Sequence, residues 1–466
     1  MVSFRKSDWV NYGRWVQPTL SGCFWPPWST TASVKKAVPN VFLHTILFLD
    51  GNTLVRAQDQ QALRSTIHEM NQNNSIKAFI RTIEQIGNQT KQKHLDILTK
   101  TLDPIEYLDA LFDTYQEMAG FWWLTLVMAD EVESYISQKN LGVDSNQLVS
   151  IIEALRKPTW IEEQSQGIKQ IVRMIKKTDP ELSSRALTEN WIKSQPFVSK
   201  AIQSHVDTYR WFGNYHWSSD AYTLDTCVQE IKKATERGIL GEKKSKPLQN
   251  PNPLFELLAV LSFWRTHCAE VTAKVVFLSG APLKKVATEN GLTYEQLCYL
   301  SNREIMSHLK TGQKLSNHLE ERKPKWGSYL EENGTEHIFT GNELQKLIDK
   351  IVPKPKMTST QLKGTVAFAG GVIRGTVKVV ISPSDFKNFK EDDILVAPEI
   401  TPDFVPLMKK AKAVICDRGG IASQAAIISP EIEVPCIIGT NTATSMLKDG
   451  DRVEIDTKKG LIKKIK

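Results

Sequence analysis

The stretch GGIASQAAIISPEIEVPCIIGT, residues 419–440, combines the elements of an anion-binding unit. Its two leading glycines let the backbone approach a ligand closely and expose amide hydrogens. The small and apolar residues that follow predict a helix beginning near Ile421, and PCIIGT predicts a strand. Because a helix N-terminus carries partial positive charge, this helix would direct that charge at an anion. We therefore expect Gly419 and Gly420 to bind a phosphate group, with Arg418 pairing with its oxygens.

The residues that surround this stretch, 362–466, have the pattern of an α/β domain. DILVAPEI and AVICD are typical of buried strands, whereas TPDFVPLMKKA is typical of a helix. LKGTVAFAGGVIRGTVKVVIS contains short strand runs separated by glycines, and RVEIDTKKGLIKKI returns to a strand pattern. Strands and helices that alternate within about a hundred residues predict a single α/β domain with a β/β/α arrangement.

The preceding chain is predicted to be mainly α-helical. Between 57 and 325, runs such as AFIRTIEQI and YLDALFDTYQEM place apolar residues three and four apart, as amphipathic helices do. Residues 1–56 are an aromatic-rich segment with a β-hairpin predicted at DGN. Residues 326–361 are predicted to contain a second hairpin, a helix and, at 353–361, a linker rich in proline and lysine. The chain is thus predicted to be multidomain, with a helical N-terminal domain before the α/β domain.

Composition and charge argue against several classes of protein. The chain has 466 residues, of which 41% are hydrophobic and 24% charged, and a net charge of +7. These values are typical of a multidomain globular protein rather than of a nucleic-acid binder. The six scattered cysteines include no CxxC pair, so neither a zinc site nor a disulfide framework is expected. No signal peptide is evident, and the longest apolar runs are too short to span a bilayer. We therefore expect a cytoplasmic protein with no metal of its own and no nucleic-acid or membrane partner.

The C-terminal motifs resemble the mobile, phosphohistidine-swivelling domain of phosphoenolpyruvate-utilising enzymes. The matching pieces are GTVAFAGGVIRGTVKVV, DDILVAPEITPDFVPLMKKAKAVICDRGG, SQAAI and VPCIIGT. The family includes phosphoenolpyruvate synthase, pyruvate phosphate dikinase and rifampicin phosphotransferase. A helical domain followed by a swivelling domain is similar to the rear part of the last of these. The resemblance implies that residues 57–325 bind a small organic acceptor, and that 362–466 carry phosphate to it from a nucleotide-binding domain.

In this family a histidine after the Gly-Gly turn accepts phosphate and delivers it to a second site when the domain swings. The residue at that position here is Gln424, with Ser423 beside it, and none of the nine histidines lies in 362–466. The resemblance thus assigns the carrier position to Gln424 and a hydrogen-bonding role to Ser423. An amide nitrogen is not a nucleophile as imidazole is, because its lone pair is delocalised into the carbonyl. We therefore expect no phosphate transfer by the chain as written. Because a carrier visits two sites, we expect the Gln424 side chain to be exposed at the start of the helix.

Two interpretations of this substitution remain open. Pro430 stands where relatives commonly have arginine, and Glu433 where they commonly have glycine, which one deliberate histidine-to-glutamine change would not explain. The first interpretation is the acceptor-binding and carrier chain of a split phosphotransferase, inactive because of Gln424. No nucleotide-binding motif precedes residue 362, so ATP and Mg²⁺ would be held by a separate ATP-grasp-like chain. The second is a non-catalytic ligand-binding or regulatory protein that retains the fold.

One aromatic segment, YRWFGNYHWSSDAY at 209–222, is a candidate acceptor site. Aromatic side chains beside a histidine and an aspartate are typical of a pocket for a small organic molecule. Aromatic clusters are more often packing, however, and that interpretation stays open. The candidate acceptor-binding residues are Trp211, Tyr215, His216, Trp217 and Asp220.

Overall fold

The computed structural model describes most of the chain, including both predicted domains. The described residues are 4–14, 19–24, 26–139, 141–143, 145–212, 221–237, 251–315, 319–323, 325–352, 362–401, 404–421 and 423–465. The predicted linker at 353–361 lies outside them. Within the described ranges, no helix has both the length and the apolar character that crossing a membrane requires.

Two long helices, α5 and α11, form the centre of the helical part. They pack against each other and against α4, and both are buried nearly all round along their middle turns. A helix that is apolar on every side must be enclosed by others, and α2, α3, α6, α7, α12 and α14 also pack against this pair. The helices are α1 (Thr19–Gly22), α2 (Ala32–Ala37), α3 (Ala57–Gln72), α4 (Ile76–Asp96), α5 (Pro104–Lys139), α6 (Ser145–Leu155), α7 (Trp160–Thr178), α8 (Glu189–Ser194), α9 (Pro196–Tyr209), α10 (Leu224–Arg237), α11 (Pro253–Leu278), α12 (Gly280–Glu289), α13 (Tyr294–Leu297), α14 (Asn302–Thr311), α15 (Leu319–Arg322) and α16 (Gly341–Ile351).

A five-stranded antiparallel sheet joins the two predicted hairpins, a pairing that the sequence pattern did not predict. Its strands are β1 (Trp9–Arg14), β2 (Leu47–Leu49), β3 (Asn52–Arg56), β4 (Gly327–Leu330) and β5 (Glu336–Phe339). Their order is β1-β3-β2-β4-β5, and Leu47 pairs with Tyr329 across the junction. An isolated two-stranded hairpin is marginal in water. The joined sheet instead has an apolar face that packs on α16 through Leu344 and Ile351.

The C-terminal domain contains an eight-stranded mixed sheet and short helices. Its order is β6-β13-β12-β8-β9-β10-β11-β7, with parallel pairing from β8 through β11. The elements are β6 (Leu362–Lys363), β7 (Thr365–Phe368), β8 (Val372–Val379), β9 (Ile394–Ala397), α17 (Val405–Lys410), β10 (Ala413–Cys416), α18 (Gln424–Glu431), β11 (Cys436–Ile438), α19 (Ala443–Met446), β12 (Arg452–Asp456) and β13 (Leu461–Ile465). The helical N-terminal part and the C-terminal sheet region agree with the prediction from sequence.

The C-terminal domain packs directly on the helical part. A single apolar cluster contains Ile161 and Ile168 of α7 and Ala269 of α11 together with Ala425 and Ile428 of α18. We call this contact the domain seam. Both α18 and the turn before it therefore lie against the helical part.

Candidate functional site

A tight turn connects β10 to α18 and positions the predicted phosphate-binding residues. Gly419 has a φ of 124°, a conformation that side chains other than glycine rarely adopt. A Cβ added to Gly419 would also lie 2.9 Å from Ser423 Oγ. The turn therefore requires glycine at 419 and holds it against the residue that begins the helix.

The helix begins at Gln424, three residues later than the sequence predicted. Ser423 is its N-cap, and the Ser423 hydroxyl accepts a hydrogen bond from the Ala426 N–H at 3.3 Å. A capping serine satisfies one of the amide hydrogens that a helix start leaves unpaired. Residues 419–421 therefore form the turn before the helix, and Gln424 occupies its first position.

The Gln424 side chain is buried, so the prediction that it would be exposed is wrong. Only 2% of the residue is accessible, and its Nε2 has no hydrogen-bond partner among the described residues. The cause is tertiary. Ile421 inserts into the apolar core of the helical part, and its N–H donates to Glu133 Oε1 of α5 at 2.9 Å. The helical part thus holds the turn that leads into Gln424.

An open cleft of about 970 Å³ lies between the two domains beside this turn. Arg418, Gly419 and Gly420 line its C-terminal-domain side, where the sequence analysis placed a phosphate group. The opposite wall comes from the N-terminal strands and the two central helices. The other charged and polar lining residues include Asn11, Tyr12, Asp130, Glu133, Arg265, Glu399 and Asp417.

Arg418 contacts the N-terminal sheet in this arrangement. Its guanidinium donates a hydrogen bond to the main-chain carbonyl of Asn11, and it lies 5.9 Å from the centre of the Tyr12 ring. An arginine has five N–H donors, so this contact leaves donors for an anion in the cleft. The contact also ties the turn to β1.

A buried ion pair among the residues that line the cleft joins the two domains. Arg265 of α11 donates to Glu399 Oε1 at 2.5 Å, and its guanidinium lies 3.7 Å from Asp130 Oδ1. Burial raises the pKa of the Glu399 carboxyl to about 7, while Arg265 and Arg418 oppose that shift. Burial likewise raises the pKa of Asp130. A polar group buried as deeply as Glu399 requires a partner, and Arg265 of the helical part provides it across the contact between the domains.

Sequence reasoning missed the helical-part side of this cleft. Arg265 lies in FELLAVLSFWRTHCAEV, where it is the only arginine or lysine in a largely apolar run. A charged side chain at the centre of a buried helix is rare unless paired. That feature was available in the sequence, but its partner Glu399 lies 134 residues away. No local pattern connects the two.

The aromatic segment is only partly described. Trp211 is buried, its indole N–H donates to the Thr208 carbonyl at 3.0 Å, and its ring packs against Trp160 at 5.4 Å. These contacts match a packing role for Trp211 itself. Four other candidates lie outside the described residues: Tyr215, His216, Trp217 and Asp220.

Glu433 occupies a backbone position that favours glycine. Glu433 follows the end of α18 with a φ of 56°, and the Val434 N–H donates back to the Ser429 carbonyl at 3.0 Å. This is the left-handed position that commonly ends a helix and that glycine occupies most readily. Glu433 Oε1 lies 3.8 Å from Lys169 Nζ of α7 across the seam.

The described residues contain no cluster of three or more histidine, cysteine, aspartate or glutamate side chains arranged to hold a metal ion. All six cysteines are free and buried. The described cleft combines two arginines, Arg265 and Arg418, with five carboxylates: Asp50, Asp130, Glu133, Glu399 and Asp417.

Comparison with known families identifies the C-terminal region. Residues 389–460 match the family model described as PEP-utilising enzyme, mobile domain. The matched segment contains the turn, all of α18 and strands β9 to β12. The resemblance stated from sequence is thus confirmed for this domain.

Curated relatives carry matching names. A phosphoenolpyruvate synthase of Pyrococcus furiosus is 33% identical over 189 residues, which are 40% of this chain and 23% of that protein. A probable phosphoenolpyruvate synthase of Archaeoglobus fulgidus is 33% identical over 168 residues, 35% of this chain and 22% of that protein. An uncharacterised phosphotransferase of Bacillus subtilis, YvkC, is 31% identical over 290 residues, 58% of this chain and 33% of that protein. The chain therefore spans a third or less of the length of these relatives.

Proposed function

We propose that this chain, whose C-terminal domain is a mobile domain of the phosphoenolpyruvate-utilising enzymes, is the acceptor side of a phosphotransfer relay. The helical part binds a small organic acceptor, and position 424 is the carrier position. With glutamine there, the chain as written does not transfer phosphate. The donor is a separate ATP-grasp-like chain that holds ATP and Mg²⁺.

One observation supports this proposal most directly: α18, which begins at position 424, packs in the seam against the helical part. A carrier must reach its acceptor at the moment of transfer, since reacting atoms have to approach within about 3–3.5 Å. The contact of Ile421 with Glu133 and the contact of Arg418 with Asn11 hold the turn before α18 against the helical part. In this proposal, that arrangement is the acceptor-side position of the swivelling domain.

The environment of Gln424 fits a residue that replaces histidine. Glutamine copies roughly the size of imidazole and one of its polar atoms. Its amide Nε2 is nevertheless buried without a partner among the described residues, and such a group carries a desolvation cost of about 1–3 kcal/mol. Position 424 therefore carries a buried amide nitrogen that no described residue satisfies.

A second candidate function is ligand binding without transfer. The Gly419 turn, the Ser423 cap and an arginine on the cleft are all present, whereas position 424 has no nucleophile. This combination favours binding without transfer. In that case the cleft binds an anionic ligand, and the domain seam responds to it. The two candidates differ in what a histidine at 424 restores.

Phosphate labelling of a revertant tests the first proposal. Native chain and Gln424→His are incubated with radiolabelled ATP, Mg²⁺ and the nucleotide-binding part of a phosphoenolpyruvate synthase as donor. We expect acid-labile label on Gln424→His and none on the native chain, because only imidazole forms the P–N bond. Phosphorus NMR distinguishes phosphohistidine from phosphoserine at Ser423.

The matched control is Gln424→Asn, which keeps the amide chemistry and should stay unlabelled. Label on the native chain at any of its own histidines would contradict the assignment of position 424. A Gln424→His chain that stays unlabelled, while the donor labels its own mobile domain, would favour the ligand-binding function instead.

A further inference from the structure

One lysine of the C-terminal domain contacts the helical part outside the residues that line the cleft. Lys409, in the last turn of α17, donates to Gln164 Oε1 at 2.7 Å and to Glu230 Oε1 at 2.8 Å. Its ammonium also lies 5.4 Å from the centre of the Phe212 ring. Lys409 is thus held on three sides by residues of α7, α10 and the end of the aromatic segment.

The residues that receive Lys409 are ordered by their own hydrogen bonds. Gln164 is fully buried, and its Nε2 donates to Glu230 Oε2 at 2.8 Å and to the Tyr222 hydroxyl at 3.1 Å. The Tyr222 hydroxyl donates to Glu230 Oε2 at 2.9 Å. These contacts use one oxygen of Glu230 and leave the other directed at Lys409. We call Gln164, Tyr222, Glu230 and Phe212 the lysine socket.

Beside the socket, a lysine of the helical part contacts the C-terminal domain. Lys233 of α10 donates to the main-chain carbonyl of Lys409 at 2.6 Å and pairs with Glu391 of the C-terminal domain. The backbone at Lys409 is therefore fixed as well as its side chain. The neighbouring Lys410 is exposed and has no comparable contact among the described side chains.

We infer that Lys409 in the lysine socket fixes the position in which the C-terminal domain docks on the helical part. The apolar seam attracts the two domains, but apolar contact is non-directional and tolerates sliding. An ammonium that contacts two oxygens and one aromatic face is restricted to a single position. This inference concerns docking alone and does not depend on phosphate transfer.

The socket also makes the docked position reversible. Its polar groups can be hydrated when the domain leaves, whereas a wholly apolar surface of the same size would be costly to expose. While docked, Glu230 is 12% exposed and requires a cation beside it. Removal of the lysine alone would leave this carboxylate without its cation, so undocking would be favoured.

Alkylation of a thiol at position 424 measures the docking equilibrium. All six native cysteines are buried, but Cys227 belongs to the apolar cluster of the seam, so the labelling rate is followed at a Gln424→Cys reporter by peptide-resolved mass spectrometry. When opening is faster than alkylation, the labelling rate is proportional to the open fraction. On this reporter background, Lys409→Met should label about 10- to 100-fold faster, because hydrogen bonds to charged groups are lost. Lys410→Met, the matched control, should label at the parental rate.

Peptide-resolved mass spectrometry separates undocking from unfolding. In Lys409→Met, Cys268 in the core of α11 should remain protected while position 424 reacts. The double variant Glu230→Gln, Lys409→Met should recover part of the docking, since the neutral amide needs no cation. Equal labelling of Lys409→Met and Lys410→Met would overturn the inference. So would parallel exposure of Cys268, which would give Lys409 a role in folding only.

Discussion

Substitution of Gly420 by alanine should loosen the seam without unfolding either domain. A Cβ at Gly420 would lie 2.7 Å from Glu133 Cδ and 2.5 Å from Glu133 Oε1, distances that real contacts do not allow. The Glu133 carboxylate must therefore move, and the hydrogen bond that it accepts from the Ile421 N–H is lost. Because the carboxylate is at the end of a flexible side chain, the fold itself adjusts at little cost.

The magnitude follows from the bond that is lost. A hydrogen bond to a charged group contributes about 1.5–3 kcal/mol, and the lower end applies because half-buried Glu133 can turn toward water. We therefore expect Gly420→Ala to weaken docking by about 1.5 kcal/mol, which is about a tenfold rise in the open fraction. A Ser165→Cys reporter on α7 measures this by alkylation. Ser165 is buried beside Ile432 and Glu433 of the C-terminal domain, away from the substituted turn.

A double-mutant cycle refines this prediction. Glu133→Ala removes the same acceptor, so Gly420→Ala and Glu133→Ala together should weaken docking no more than either alone. Thermal unfolding should be nearly unchanged in all three variants. Additive effects of the two substitutions, or a loss of helical structure in Gly420→Ala, would refute the reasoning that the turn acts through Glu133.

Two further predictions concern stability and pH. Glu433→Gly should raise the stability of the C-terminal domain toward urea by about 1 kcal/mol, because it relieves a left-handed conformation at φ 56°; an unchanged or lower midpoint would contradict this. Docking should weaken as pH rises from about 4.5 to about 7. The docked state, in which burial raises the pKa of Glu399 to about 7, holds a proton that the open state releases. Thiol labelling, corrected for the pH dependence of the alkylation reaction itself, should show the open fraction rising with pH. Glu399→Gln should reduce this pH dependence. If Glu399→Gln leaves it unchanged, other groups cause it.

Local features of the site could be predicted from sequence because their causes are local. The need for glycine at 419 and the helix that follows depend on a few adjacent residues. The absence of a phosphate-accepting histidine in 362–466 can likewise be read directly from the sequence. The helix start was misplaced by three residues because Ser423, rather than the glycine turn, provides the cap.

The burial of Gln424 could not be predicted, since it depends on contacts between distant parts of the chain. Glu133 lies 288 residues from Ile421, and Asn11 lies 407 residues from Arg418. The pairing of β2 with β4 is equally non-local. An argument from mechanism, that a carrier must be accessible, predicted exposure; the structure instead has α18 packed in the seam, with Gln424 buried.

The docked position of the turn can be measured most directly by a thiol cross-link between the two domains. The Glu133 carboxylate reaches the place where a Gly420 side chain would begin, so the two backbones lie about one glutamate side chain apart. With a short bifunctional thiol reagent we expect the double variant Glu133→Cys, Gly420→Cys to cross-link within the chain, as intact mass after alkylation reports. A matched pair with the partner one turn further along α5, Ser137→Cys with Gly420→Cys, should cross-link far less. Two freely alkylated thiols in the first pair, with the chain folded, would contradict a mobile domain that holds position 424 against the helical part.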